Sequence, residues 1–494
     1  MLTLHLADPE ATNRLGEDLA LALKQGDVLA LSGDVGAGKS SLARAFIRAM
    51  AHEPSLDVPS PTFTLVQNYA TRIPISHFDL YRLASPLEFE ELGFDEATSA
   101  GICLIEWPER AGSLLPKTVI HLQLTDADEG RQAQIDGPQG AMERISRTLA
   151  IRAFLTANNL ELAHRSWFQG DASTRTFERV DTADGRSAIL MDHPEKPDLS
   201  PVINGRSYRQ TARISWTVTP FIAIANALRQ HGFAAPEIIT QDLDQGLLLM
   251  EDLGAGKIVD EDGLPITERY CAAGKLLAKL HVTRFDRDLP VNKGLSYHLP
   301  PYDRDAMMIE ARLMLDWYMP VRLARDATRM EAQQFETVWD ELIRLLRQSE
   351  TGLLLRDYHS PNIIWRSEKA GIARLGLVDI QDALYGPLSY DLSSLAQDAR
   401  VTIPEALETD ILAAYAKSRR SFGAFDETAF RQSYVITAMQ RATKILGIFV
   451  RLDRRDGKPD YLKHLPRIEN YVRRTIHHPA LAKLAEFYSS FGLV

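Results

Sequence analysis

The sequence predicts an α/β domain followed by a bilobal α+β domain, and two observations support this prediction. Near the N-terminus, an apolar run at residues 28–31 leads into a glycine-rich loop at residues 33–40 and then into a helix, as in α/β domains that bind phosphate groups. Far downstream, Asp357 and Asn362 are followed by an apolar segment that ends in Asp379. With 494 residues, the chain is long enough for two or three domains.

The composition predicts a globular protein without a membrane span. Hydrophobic residues make up 45% of the chain and charged residues 25%, and no apolar stretch approaches the roughly 18 residues that a membrane helix needs. No secretory signal is visible, which predicts a cytoplasmic protein. The net charge is -10, and residues 1–148 hold 21 acidic against 12 basic side chains. This acidity argues against direct binding of nucleic acid and favours a protein partner.

The glycine-rich loop fits a phosphate-binding motif at every fixed position. Residues 33–40 read Gly-Asp-Val-Gly-Ala-Gly-Lys-Ser, which matches the P-loop pattern G-x-x-x-x-G-K-[ST]. Its glycines let successive backbone N–H groups face an anion at the start of a helix. The motif predicts that Lys39 contacts the outer phosphates of ATP and that Ser40 binds Mg²⁺. The predicted ATP-binding residues of this loop are Gly33, Asp34, Gly36, Ala37, Gly38, Lys39, Ser40 and Ser41.

Two acidic residues follow predicted strands of this domain, which we predict to be an α/β P-loop NTPase fold. The predicted strands cover residues 62–69, 73–78, 101–106 and 118–124. Asp79 and Glu106 stand at the ends of two of them, at the edge where open α/β sheets bind ligands. Carboxylates in such positions hold the magnesium shell or orient the attacking water. We therefore predict that Asp79 and Glu106 are catalytic and metal-binding residues.

Four segments in order give this half a family resemblance. They are residues 33–40, residues 60–64 (Ser-Pro-Thr-Phe-Thr), residues 77–82 (His-Phe-Asp-Leu-Tyr-Arg) and residues 105–110 (Ile-Glu-Trp-Pro-Glu-Arg). This half resembles the TsaE family, the P-loop ATPases of bacterial threonylcarbamoyladenosine tRNA modification. The resemblance implies that Lys39 and Ser40 bind ATP and magnesium, with Thr62 near the γ-phosphate. It also implies that Asp79 and Glu106 support hydrolysis, and that this half docks onto a TsaB–TsaD complex. The acidity of this half predicts that it does not contact tRNA directly.

The chain changes character after residue 124. Two polar, turn-rich segments at residues 126–130 and 136–140 precede a predicted helix at residues 142–155. We place the boundary near residue 146, which gives a first domain at 1–146 and a second at 147–494. The second domain has a predicted small lobe at about 160–255 and a larger lobe at about 256–494. Helices of the larger lobe are predicted at 267–281, 301–319, 331–349, 403–419 and 427–452.

The second domain carries its own catalytic pattern. Asp357 and Asn362 have the D-x-x-x-x-N spacing of a kinase catalytic loop, and Asp379 follows on a separate strand. The pattern predicts that Asp357 accepts the substrate proton and that Asn362 and Asp379 hold magnesium. Upstream, Gly170 and Ser173 belong to a predicted phosphate-covering turn. Met250 and Glu251 end a predicted strand that leads into a hinge, and these four residues complete the predicted ATP contacts.

This arrangement predicts a protein-kinase-like fold and resembles the aminoglycoside phosphotransferase and choline kinase superfamily. The segments at residues 170–173, 190–192, 355–359, 446–449 and 455–459 are similar to those of the AmgK family. That family comprises anomeric N-acetylmuramate and N-acetylglucosamine kinases of cell-wall recycling. The resemblance implies a sugar substrate. Arg356, Glu310 and Trp317 are the candidate substrate contacts, although a helical face with one tryptophan more often packs in a core.

One feature departs from the usual kinase pattern. Met191 stands where a strand lysine is expected, and no Asp or Glu occurs between Asp198 and Glu237 to serve as its helix partner. Loss of both the lysine and the glutamate leaves no unpaired charge, as expected of an active site that works without this pair. The alternatives are a pseudokinase that regulates the tRNA-modification complex, and a kinase for another sugar, an aminoglycoside or an amino alcohol. We favour activity, because Asp357, Asn362 and Asp379 are all present.

Overall fold

The computed structural model describes residues 1–168, 175–198, 200, 202–203 and 205–493. The chain divides into two compact units, residues 1–192 and residues 193–494, and each is described by itself. The strands of the first unit are β1 (Leu2–Leu6), β2 (Val28–Ser32), β3 (Val66–Tyr69), β4 (Ile75–Asp79), β5 (Ile102–Glu106), β6 (Ile120–Asp126), β7 (Arg131–Asp136), β8 (His164–Phe168), β9 (Thr176–Asp181) and β10 (Ser187–Asp192). Its helices are α1 (Pro9–Ala22), α2 (Lys39–Ala51), α3 (Leu87–Glu90), α4 (Phe94–Ala100) and α5 (Gln139–Ala157), with a 3₁₀ segment at Pro108–Leu114.

A seven-stranded mixed sheet forms the centre of the first unit. Its strand order is β1-β7-β6-β2-β5-β4-β3, and β2 pairs in parallel with β5 and β6. Strands β4 and β5 are also parallel, with Asp79 directly opposite Glu106. The register therefore brings the two predicted carboxylates to the same level of one sheet edge, beside the loop that follows β2.

Both faces of this sheet are covered, which explains the apolar runs in its central strands. Leu29 and Leu31 of β2 belong to a core with residues of α1 and α2. Val28 and Ala30 point the other way and pack with Phe78 and other residues. Successive strand residues face opposite sides, so one short run supplies both cores.

The predicted strand at residues 62–69 is shorter in the structure, because β3 begins only at Val66. Leu65 has a left-handed backbone, with φ of 64°, and its N–H donates to the carbonyl of Pro61 at 2.7 Å. The preceding residues therefore form a turn that returns Thr62 towards Asp79. The predicted helix at residues 142–155 is confirmed as the core of α5.

Strands β8, β9 and β10 complete the first unit as an antiparallel meander. The side chain of Arg165 on β8 is fully buried and joins this meander to the helices of the P-loop domain. It donates to Asp18 of α1 at 2.6 Å, to Glu178 of β9 at 2.8 Å and to the backbone oxygen of Thr148 on α5 at 3.0 Å. We call these four residues the Arg165 cluster. It ties α1, α5 and the meander into one folding unit.

The second unit is mainly helical. Its helices are α6 (Tyr208–Thr211), α7 (Thr219–Gln230), α8 (Thr267–Val282), α9 (Arg304–Ala311), α10 (Met319–Leu323), α11 (Arg329–Leu346), α12 (Ser389–Ala396), α13 (Glu405–Phe422), α14 (Glu427–Arg454), α15 (Leu465–Thr475) and α16 (Ala482–Ser489). Its strands are β11 (Val202–Ile203), β12 (Arg206–Ser207), β13 (Ile238–Asp242), β14 (Leu247–Glu251), β15 (Asp288–Asn292), β16 (Leu295–His298), β17 (Thr351–Leu354), β18 (Ile363–Trp365), β19 (Leu375–Leu377) and β20 (Leu384–Pro387). Its strands pair antiparallel, β11 with β12, β13 with β14, β15 with β16, β17 with β20 and β18 with β19.

Helix α14 is central to the second unit. Its buried face contributes to an apolar core that includes the fully buried Trp339 of α11. Four of the five predicted helices correspond to α8, α11, α13 and α14 with small shifts at the ends. The predicted helix at 301–319 starts later in the structure, because Asp303 caps α9, and it continues through a π-helical turn at Met314–Tyr318 directly into α10.

Among the residues that the structure describes, no helix is both long enough and apolar enough to span a membrane.

We predict that Arg165→Met lowers the free energy of unfolding by about 3 kcal/mol, because it leaves buried carboxylates without their shared cation. The midpoint of the first transition in urea denaturation measures this effect. Arg186→Met is the matched control, since Arg186 lies on the same meander with its side chain 80% exposed beside Asp184 and surface pairs contribute little. Equal midpoints for the two variants would contradict the assigned role of the Arg165 cluster.

Candidate active sites

The first site forms around the loop between β2 and α2. Gly33 and Gly38 have φ values of 138° and 103°, a backbone that favours glycine. A Cβ on Gly33 would lie 2.4 Å from the carbonyl oxygen of Leu124 on β6, so the sheet itself excludes a side chain there. The loop consequently follows a path that exposes backbone N–H groups at the N-terminus of α2.

Lys39 is buried at the start of α2 and is held in place by three groups. Its Nζ donates to the carbonyls of Gly33 at 2.6 Å and Asp34 at 2.9 Å, and it lies 3.7 Å from the ring centroid of Trp107. Burial lowers the pKa of Lys39, while Glu106 and other nearby carboxylates partly oppose the shift. The ammonium group is thus positioned in advance for an anionic ligand.

Glu106 links the P-loop hydroxyl to a buried histidine. Ser40 Oγ donates to Glu106 Oε2 at 2.8 Å, and His77 Nε2 lies 3.0 Å from Glu106 Oε1. His77 and Glu106 are both buried, so the imidazole N–H donates to a carboxylate that has few other partners. His77 therefore orients Glu106 and leaves its second oxygen beside Ser40.

Asp79 is held by the turn that precedes β3. Ser60 and Thr62 both donate to Asp79 Oδ2 at 2.7 Å, and the N–H of Tyr81 donates to Oδ1 at 3.1 Å. Such donors offset the hydration that a buried carboxylate loses. The turn that forms in place of the predicted start of the strand thus supplies two hydrogen-bond donors to Asp79.

These residues line a cavity of about 430 Å³. Eight of the eleven residues predicted for this site line the cavity, whereas Gly33, Asp34 and the buried Ala37 do not. The lining residues are Val35, Gly36, Gly38, Lys39, Ser40, Ser41, Ser60, Thr62, Asp79, Tyr81, Glu106 and Trp107. His77, Ser60 and Trp107 are site residues that the sequence patterns did not predict. His77 had one available signal, because it lies two residues before Asp79 and so shares a face of β4 with it.

The second site lies in the second unit, in the segment between β17 and β19. Arg356 has a left-handed backbone, with φ of 71°, and the partly buried Asp357 follows it. Burial alone would raise the pKa of Asp357, but nearby cations, chiefly Lys444 and also Arg356, lower it. The carboxylate is therefore ionised and able to accept a hydrogen bond.

Two buried aspartates at and after α12 hold this segment in place. Asp391 accepts the backbone N–H groups of Leu355 at 2.7 Å and Arg356 at 2.8 Å. Asp398 accepts the N–H of Ser360 at 2.8 Å. Neither aspartate was selected from the sequence, because each acts on a segment more than 30 residues away and belongs to no local motif.

Asn362 and Asp379 meet beside Asp357. Asn362 Nδ2 donates to the backbone oxygen of Asp357 at 2.9 Å and lies 3.4 Å from Asp379 Oδ2. Gln381 donates to Asp379 Oδ1 at 2.9 Å, and Asp379 has a left-handed φ of 56°. The three residues predicted from the kinase pattern are thus brought together in one cluster.

The predicted nucleotide contacts are only partly described. Met250 is buried on β14, and the N–H of Glu251 donates to the carbonyl of Glu237 at 2.8 Å. Gly170 and Ser173 lie outside the described residues. Met191 is buried on β10, so an apolar side chain fills the position where kinases usually place a lysine.

A second cavity, of about 120 Å³, opens beside Asp357. Its lining residues are Asp357, His359, Tyr390, Ala399, Arg400, Arg441, Lys444, Ile445, Ile448 and Phe449. None of the three candidate substrate contacts, Arg356, Glu310 and Trp317, is among them. Trp317 packs against the apolar core of the second unit.

Glu310 is fully buried and holds two cationic side chains in place. It pairs with Arg356 and, at 2.7 Å, with Lys444. Burial alone would raise the pKa of Glu310, but these two cations lower it to about 2. Glu310 thereby fixes Lys444 at the wall of the cavity and Arg356 behind Asp357.

Comparisons with known proteins find a family match in each half of the chain. Residues 6–134 match the model of the threonylcarbamoyl adenosine biosynthesis protein TsaE, and residues 166–430 match that of the phosphotransferase enzyme family. The chain belongs to the phosphotransferase enzyme family. It therefore joins a TsaE-type ATPase domain to an ATP-dependent phosphotransferase domain, which confirms the predicted fusion and its two fold classes.

Two curated relatives illustrate the two halves. An N-acetylmuramate/N-acetylglucosamine kinase of Caulobacter vibrioides is 33% identical over 358 residues, which cover 70% of this chain and 96% of the relative. The tRNA threonylcarbamoyladenosine biosynthesis protein TsaE of Rickettsia felis is 42% identical over 130 residues, which cover 26% of this chain and 75% of the relative. Among solved structures, an ethanolamine kinase of Plasmodium vivax is 11% identical, with a TM-score of 0.44 and coverage of 72% of this chain and 92% of that one.

The two family matches leave residues 135–165 between them, and α5 lies in this interval. The compact first unit extends through residue 192 and includes β8, β9 and β10. The boundary between the two domains near residue 146 stays a prediction.

We predict that His77→Leu raises the magnesium concentration needed for half-maximal ATP hydrolysis by about tenfold, because Glu106 loses the donor that orients it. Magnesium titrations of ATP hydrolysis by the full chain measure this shift. His121→Leu is the matched control, since His121 is an exposed strand histidine on β6 of the same sheet. The same magnesium dependence in both variants would show that His77 has only a packing role.

Proposed function

We propose that the N-terminal domain hydrolyses ATP with Mg²⁺ in tRNA threonylcarbamoyladenosine modification, bound to a TsaB–TsaD-like partner complex. The support is the cavity in which Lys39, Ser40, Asp79 and Glu106 converge, together with the 42% identity to a TsaE protein. Recognition of the tRNA itself is assigned to the partner, since this half of the chain is acidic.

We propose that the C-terminal domain transfers the γ-phosphoryl group of ATP to the anomeric hydroxyl of N-acetylmuramate or N-acetylglucosamine. The observation that carries this proposal is the cavity beside Asp357, which offers an ionised carboxylate next to cationic and apolar walls. The substrate identity is supported by the kinase of Caulobacter vibrioides, because the similarity spans 96% of that enzyme.

Asp357 orients the attacking hydroxyl and accepts its proton as the new bond to phosphorus forms and the bond to the ADP oxygen breaks. Its low pKa does not oppose this role, because phosphoryl transfer depends more on positioning and charge stabilisation than on a strong base. Asp391 keeps the segment around Asp357 rigid through its two backbone hydrogen bonds. Lys444 places a positive charge beside the reacting groups.

Both sites fit magnesium by the chemistry of their donor atoms. Ser40, Asp79 and Glu106 in the first site, and Asn362 and Asp379 in the second, supply oxygen ligands. Mg²⁺ prefers such ligands and commonly binds through one or two carboxylates together with substrate phosphates. When bound, it would neutralise charge on the transferred phosphoryl group.

The missing strand lysine does not by itself argue against activity. A lysine at position 191 would place an ammonium group in a buried strand, where it would need a carboxylate partner. The chain has neither member of that pair, whereas the residues around Asp357 are intact. A pseudokinase would have no need of an ionised Asp357 beside an open cavity.

We predict that the full chain transfers radiolabelled phosphate to N-acetylmuramate or N-acetylglucosamine, and that Asp357→Ala abolishes this transfer. A panel with other sugars, aminoglycosides and amino alcohols, with product masses, tests the alternative substrates. Lys39→Ala is the control, since it alters the other ATP site and is expected to leave transfer intact. Absence of transfer to every acceptor would favour the pseudokinase.

We predict that Lys39→Ala abolishes ATP hydrolysis by the N-terminal domain and with it the formation of threonylcarbamoyladenosine in a reconstituted system with TsaB and TsaD. The physical reason is that the ammonium group that faces the phosphates is lost. Modified nucleoside measured by mass spectrometry is the readout, and Asp357→Ala serves as the control. Full modification with Lys39→Ala would exclude the proposed role of this site.

A further inference from the structure

The cavity beside Asp357 carries more positive than negative charge. Three cationic residues line it, namely Arg400, Arg441 and Lys444. Asp357 is the one acidic residue in the described part of this lining. His359 adds no charge at neutral pH, because burial lowers its pKa. A surplus of cations around a small cavity suits a ligand that carries an anionic group.

The partners of two of these cations differ. Lys444 is paired with the fully buried Glu310 at 2.7 Å. Arg441, which is 5% exposed, donates to the backbone oxygen of Gln397 at 3.0 Å. Within the described ranges, no carboxylate lies at salt-bridge distance from Arg441. A buried guanidinium is costly without an anionic partner, and the cavity leaves room for a partner supplied by the ligand.

Helix α14 presents the cations together with an apolar surface. Arg441, Lys444, Ile445 and Ile448 have the spacing of one helix face, and Phe449 extends its apolar part. A ligand that fits this wall carries a carboxylate near Arg441 and apolar atoms near Ile445 and Ile448. Its hydroxyl group faces Asp357.

We propose that Arg441, assisted by Lys444 and Arg400, binds the lactyl carboxylate of N-acetylmuramate, so that the kinase domain selects this sugar over N-acetylglucosamine. This inference rests on the proposed sugar kinase function. The two sugars share the anomeric hydroxyl and the acetamido group and differ by the lactyl ether. Arginine pairs with carboxylates through two parallel hydrogen bonds, which gives both strength and orientation.

The test compares kcat/KM of the full chain for N-acetylmuramate, its methyl ester and N-acetylglucosamine. The wild-type chain is expected to use the free acid about tenfold better than the ester. Arg441→Gln is expected to lower the ratio of kcat/KM for N-acetylmuramate to that for N-acetylglucosamine by about tenfold, mainly through KM. A merely structural role for Arg441 would lower both values together and leave the ratio unchanged.

Arg431→Gln is the matched control, because Arg431 lies on the same helix with its side chain 52% exposed beside Glu427. It is expected to leave the ratio at the wild-type value. Equal use of the acid and the ester by the wild-type chain overturns the inference even where Arg441→Gln does not fold. Phosphorylation of both sugars with an unchanged ratio overturns the inference alone, whereas phosphorylation of neither overturns the proposed function with it.

Discussion

The buried guanidinium of Arg165 is the constraint on which the organisation of the first unit depends. It lies among Asp18, Thr148 and Glu178, which belong to three different elements, and a charge so deeply buried is stable only when all its partners are present. Helices α1 and α5 must therefore fold together with strands β8 and β9. These two strands lie where the phosphotransferase match begins. The compact unit extends to residue 192, although the phosphotransferase family match begins at residue 166.

Both candidate sites must stabilise carboxylates that are largely removed from water. Each holds carboxylates in a buried or partly buried place, where hydrogen-bond donors or cations must offset their lost hydration. In the first site, the hydroxyls of Ser60 and Thr62 and the imidazole of His77 supply donors to Asp79 and Glu106. In the second site, cations around Asp357 lower its pKa, and Asp391 fixes the backbone beside it. The orientation of the reactive groups is thus established by the protein before a ligand arrives.

Local patterns predicted the elements that carry the sites. The helix that starts at Lys39, the strand that ends at Glu106 and the long helix α14 all follow from sequence periodicity and glycine placement. The turn before β3 did not follow, because the hydroxyls of Ser60 and Thr62 are drawn to Asp79, a long-range contact that overrides strand propensity. Asp391 and Arg441 were missed for the same reason. Their partners lie more than 30 residues away, and no spacing in the sequence reports such a contact.

The absence of the kinase lysine–glutamate pair is consistent with the way in which this protein compensates its buried charges. A buried strand position such as 191 tolerates a cation only together with its carboxylate, and methionine fills the same volume without that demand. In the second unit, positive charge is instead concentrated on α14, where Glu310 compensates Lys444 while Arg441 hydrogen-bonds a backbone oxygen. Cations line the wall of the cavity beside Asp357. The proposed preference for an acceptor with a carboxylate depends on this placement of buried charge.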